Sequence, residues 1–136
     1  MNYKKAGCFL MILFCLLGNT TTLAATRLIS CRPNQVNQRF VCLDDAIAEV
    51  KPNLGNYVIY IVAYGSAKRV PCTGGRIAAA FRRQLLDEIE GQRIHVDESL
   101  VIALDGGHRD EALIEIYACN SGERPPNSAK WAPNCR

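Results

Sequence analysis

Apolar residues fall along this chain in two patterns, unbroken runs and runs spaced by three and four, and the two patterns alternate. Leu28-Ile29-Ser30-Cys31 reads as a short strand, followed by a polar loop from Arg32 to Arg39 that carries Pro33, Asn34 and Asn37. Leu43, Ala46, Ile47 and Val50 then recur at i, i+3, i+4 and i+7, one face of a short helix. Asp44 and Asp45 sit in its first turn, where the helix dipole favours anions, and Pro52 stops it. Tyr57 to Tyr64 is apolar at every position and mostly β-branched or aromatic, as expected of a central strand buried on both faces. A connecting loop follows.

The spacing next predicts a helix from about Gly75 to Glu90. Ile77, Phe81, Leu85 and Ile89 form its stripe, Ala78 and Leu86 widen it, and Arg82, Arg83 and Asp87 lie on its wet side. Gly91 is a natural residue to close it. Arg93-Ile94-His95-Val96 and Leu100 to Leu104 come next, then a turn at Asp105-Gly106-Gly107-His108. The last apolar run is Ala112 to Ala118, whose one charge, Glu115, is expected to face solvent or the sheet rim. From Asn120 onward Pro, Asn, Ser and Gly predict an irregular tail over 120–136. The order β-α-β-α-β-β predicts an α/β fold, a small mixed sheet packed with two main helices.

The segment before this pattern reads differently. Lys4 and Lys5 precede the apolar run Cys8 to Leu17, which is too short to cross a bilayer as a helix. Thr22-Leu23-Ala24 then offers small residues at −3 and −1 of a cleavage site. A signal peptide over 1–24 is therefore expected, leaving 25–136 as one domain, periplasmic or secreted, with no transmembrane segment. With Lys4 and Lys5 removed, basic and acidic side chains nearly balance, so nothing asks for nucleic acid or an anionic membrane. Leu28-Ile29-Ser30-Cys31 matches a lipidation box by residue type, but it lies too far behind the apolar run to serve as one.

Export changes the meaning of the cysteines. Cys31, Cys42, Cys72, Cys119 and Cys135 remain in the mature chain, and an oxidising compartment would pair four of them. Closeness in the chain favours Cys31 with Cys42 and Cys119 with Cys135. No Cys-x-x-Cys occurs, and His95 and His108 lie far in sequence from any cysteine pair, so no metal or other cofactor is expected. Cys72, just before a helix, is the most site-like cysteine, yet the role of a disulfide partner or of the unpaired cysteine fits it better than that of a nucleophile. Trp131 is expected on the domain surface.

Three stretches carry a family likeness: Leu43 to Asn53, Val58 to Gly65, and Arg76 to Leu86 followed by Gln92-Arg93-Ile94. In order and pattern, residues 40–126 resemble the OmpA-like domain family of cell-wall-associated bacterial proteins. Asp105-Gly106-Gly107-His108-Arg109, running into Ile114 to Tyr117, resembles a degenerate branch of it found in exported proteins. The resemblance implies a binding domain rather than an enzyme. Family members that hold peptidoglycan grip its diaminopimelate side chain with an Asp after the strand and an Arg in the next helix. Here Ser66 stands where that Asp belongs, and no acidic residue occurs from Leu54 to Leu86. Arg76, the nearest Arg, is one residue out of phase, and the family's Asn-x-x-Leu-Ser-x-x-Arg-Ala signature is missing.

Function is accordingly expected to be that of an exported, non-enzymatic interaction domain, possibly cell-envelope associated, whose partner is a protein or a cell-wall component. A periplasmic inhibitor or immunity-type protein that blocks an exported enzyme is the alternative, favoured if the Asp105–Glu111 segment protrudes. The candidate contacts are Ser66, Arg76, Asp105, His108 and Arg109.

Overall fold

A computed structural model describes residues 25–66 and 70–126. The expected signal peptide, Trp131 and Cys135 lie outside the described residues. Strand β1 spans Ala25–Cys31, and a small hairpin follows, β2 at Gln35–Val36 and β3 at Arg39–Phe40. Helix α1 is Leu43–Val50, closed by a 3-10 turn at Lys51–Asn53 that contains Pro52. Strand β4 is Val58–Gly65, helix α2 Thr73–Gly91, strand β5 Val101–His108 and strand β6 Leu113–Cys119. Apart from the hairpin this is the β-α-β-α-β-β order read from the pattern.

The main sheet has the order β1-β6-β4-β5. Strands β4 and β5 are parallel, joined by α2, whereas β6 runs antiparallel to both β1 and β4. The last strand among the described residues is thus an interior strand. Both helices cover one face. Leu43, Ala46, Ile47 and Val50 of α1, and Ala78, Phe81, Leu85 and Ile89 of α2, meet Ile59, Ile61 and Ala63 of β4 and Ile114, Ile116 and Ala118 of β6. The opposite face gathers Tyr60, Val62, Tyr64, Leu104 and Cys119, with Leu113 and Tyr117 packed against them. Burial on both faces explains why the β4 stretch is apolar throughout. Among the described residues no helix is long and apolar enough to cross a membrane.

Four details depart from the pattern. The polar loop 32–39 contains the β2–β3 hairpin, whose turn residues Asn37 and Gln38 have φ of 50° and 65°. It is anchored from α2 by Gln84, whose Nε2 donates to the Gln38 carbonyl at 2.7 Å while its Oε1 accepts from the Phe40 amide at 3.2 Å. Arg82 is no free surface residue: its Nε donates to the Val101 carbonyl at 2.6 Å and its Nη2 to that of Glu98 at 2.9 Å, fixing the start of β5. Helix α2 runs through Gly91, and the left-handed residue that closes it is Arg93 (φ 62°). Most consequential, Asp105-Gly106-Gly107-His108 is not a turn but the second half of β5, pairing with β4 as far as Gly65 opposite His108.

Candidate functional site

The carboxyl ends of parallel strands in an α/β sheet, beside the start of the following helix, are where such sheets hold ligands. Here that end is built by close approach. A Cβ on Gly74 would stand 2.3 Å from the Ala63 carbonyl oxygen and 2.6 Å from Asp105 Oδ1, so only glycine lets α2 settle on the strand ends. Gly106 meets the same demand, since its missing side chain leaves room for the Tyr64 ring, 2.5 Å from where a Cβ would lie. Asp105 Oδ1 accepts the Gly107 amide at 2.8 Å, and Gly107 has φ of 95°, next to the irregularity in register between Ala63 and Tyr64.

The candidate residues converge on this end. Ser66 follows the last residue of β4 and is exposed, Arg76 is exposed on the first turn of α2, and His108 is exposed at the tip of β5. Asp105 is half-buried between the strand ends and the helix start. Residues 109–112 then cross over the end of β4 to reach β6, and the Arg109 amide donates to the Gly65 carbonyl at 3.0 Å. This segment lies on the sheet end.

Beneath that crossover is a cluster the pattern did not reveal. Glu115 does not face solvent: it is buried, 3% exposed, on the sheet face opposite the helices. It is held there by charge. Arg109 Nη1 lies 3.1 Å from its Oε1, Arg27 Nη1 3.6 Å from its Oε2, and the Tyr117 hydroxyl donates to Oε2 at 2.5 Å. Oε1 gets no well-directed hydrogen bond, so Arg109 meets it as a charge. The Arg109 guanidinium also stacks on Tyr64, 3.7 Å from the ring centroid. Burial pushes the Tyr64 phenol up, with Glu115 adding to the shift and Arg109 opposing it. Burial, then the hydrogen bond to Glu115, raises Tyr117 well beyond the ordinary range. Both tyrosines therefore stay neutral donors at physiological pH. The available signal was an acidic residue alternating with isoleucines in an interior strand, with arginines at 27 and 109 to meet it.

The cysteines resolve in part. Cys31 and Cys42 are bridged, with Cα atoms 6.3 Å apart. Cys72 is disulfide-bonded. Cys119, paired with Cys135 by closeness in the chain, is instead free and fully buried. It ends β6 with its side chain among Tyr60, Val62 and Leu104, and burial pushes its thiol up to about 11. A thiol so placed is inert rather than reactive. His95 is exposed at the other end of the sheet, beside a cleft of about 320 Å³ lined by Lys51, Tyr57 and Leu100. Among the described residues no group of three or more metal-ligating side chains occurs.

No protein-family model matches the chain, and neither a curated protein nor a solved structure matches it significantly.

Proposed function

We propose that this chain is an exported, non-enzymatic binding domain that engages a protein partner through the carboxyl end of the β4–β5 pair. The observation that carries the reading is convergence: Ser66, Arg76, Asp105, His108 and Arg109, distant in sequence, sit at one end of the sheet, four of them exposed. The element order on which the OmpA-like resemblance rests supports a binding role, and the Cys31–Cys42 bridge is compatible with an oxidising compartment. A protein is preferred to the cell wall because an amine clamp needs a carboxylate where Ser66 stands. The inhibitor alternative looked for a protruding Asp105–Glu111 segment. It draws no support from a β5 that continues through His108 or from an Arg109 tied to Gly65.

Two measurements test this. Mixed at micromolar concentration with insoluble peptidoglycan, the mature protein is expected to remain in the supernatant. Bearing a photo-crosslinker at Ser66 or His108, it is expected to capture a discrete protein adduct in cells, whereas a crosslinker at Lys51, at the opposite end, captures none. Strong pelleting that Arg76→Ala abolishes would replace the protein partner by the wall, and equal capture from both ends would remove the site.

A further inference from the structure

The cluster around Glu115 carries more positive than negative charge. Arg27 and Arg109 both face this one carboxylate, and neither has another acidic partner among the described residues. With Tyr64 and Tyr117 held neutral, two cations face the one buried anion. Arg109 is also fixed in orientation. Tyr64 covers one face of its guanidinium and Glu115 takes Nη1, yet the side chain is still 47% exposed. A guanidinium has five N–H donors in a planar fork, and Glu115 uses one side of it. Arg109 also lines a shallow concavity of about 460 Å³ with Asp110, Glu111 and Leu113. Of the two acids there, Glu111 is paired with Arg32 at 2.9 Å and Asp110 is exposed at the rim. A pinned plane and unspent donors form the arrangement that takes up a carboxylate bidentately, which a flexible lysine ammonium would not reproduce.

We propose that Arg109, held by Glu115 and Tyr64, is the subsite for a carboxylate of the partner, an acidic side chain or a chain terminus. This deepens the reading of this end of the sheet as a protein-binding surface and rests on it. The probe is acetate alone, titrated into the full-length mature protein against chloride at equal ionic strength. The signals followed by NMR are the Arg109 Nε–H and the amides of residues 109–113. Acetate is expected to shift these signals saturably and beyond the chloride effect. The response should vanish in Arg109→Gln, and also in Arg109→Lys, which keeps a cation against Glu115 and serves if the Gln variant fails to fold. Acetate shifts no larger than those of chloride, or a saturable response that survives in a folded Arg109 variant, overturn the proposal. Because acetate needs no partner, failure here leaves the crosslinking result standing, and failure of crosslinking leaves this subsite standing.

Discussion

On the helix-covered side of the sheet, Ile59, Ile61, Ala63, Ile114, Ile116 and Ala118 meet Phe81, Leu85 and Ile89 in an interior built from aliphatic and aromatic carbon. On the other side the alternate residues of the same strands are Tyr60, Val62, Tyr64, Glu115, Tyr117 and Cys119. The first face is stabilised by volume and loss of water contact, which do not titrate with pH. The second is buried as well, but its centre is a carboxylate that tolerates burial only because two guanidinium groups and a phenol are aimed at it. One ladder therefore supports two kinds of interior. Only the second contains titratable groups whose chemistry can be read from outside.

The harshest way to break the contrast is Val62→Asp. Val62 is fully buried and lies opposite Glu115 across the β4–β6 ladder, so the change adds an unpaired carboxylate beside an existing one. A cost of several kcal/mol is expected, comparable to the stability of a small domain, and the protein should be recovered insoluble or without a cooperative melt. A soluble, cooperatively melting variant would show that the second face is open to water.

Alkaline pH sharpens the contrast more gently. The folded thiol of Cys119 titrates near 11, above the ~8.5 of an unfolded cysteine. Its contribution to stability is therefore complete below the unfolded value and is lost as pH rises toward the folded one. Urea unfolding is expected to show a fall of at most about 2–3 kcal/mol between pH 8 and pH 11. The raised tyrosines act in the same direction at the upper end. Cys119→Ala should flatten the lower part of this fall, and an unchanged profile in that variant would assign the effect elsewhere.

The smallest effect expected is that of Glu115→Gln. The amide keeps an acceptor for Tyr117, and both arginines are exposed enough to rehydrate. Denaturant melts should therefore show a loss of about 1–2 kcal/mol, not the 3–5 that follows when a buried charge is left alone. A loss in that higher range would mean that the arginines are themselves held out of water.

The helices were legible because their apolar spacing is regular. Every residue assigned to the α1 stripe is buried, and so are Phe81, Leu85 and Ile89 of α2. β4 was legible because a strand covered on both faces has no polar gaps. Glycine misled where its reason was tertiary: Gly106 and Gly107 suggest a turn in isolation, but both lie in a strand, Gly106 leaving room for the Tyr64 ring and Gly107 taking a φ of 95° beside the irregularity in register. Glu115 misled for the complementary reason, since its burial depends on Arg27 and Arg109, remote in sequence, arriving at the same spot. The candidate contacts could be named from the sequence only as single residues, whereas the Glu115–Tyr64 setting of Arg109 could not be read there.

The strand that completes the sheet is the last one made among the described residues. β6 sits between β1 and β4, and its first and last partners join Ala25 to Cys119, nearly the whole described chain. A nascent or partly threaded polypeptide ending before Leu113 holds two strands with no neighbour to link them, however long it waits. Such late, long-range closure slows folding and leaves unpaired edges open to other chains meanwhile. The four-stranded sheet therefore cannot close until Leu113–Cys119, in the last fifth of the sequence, has been made.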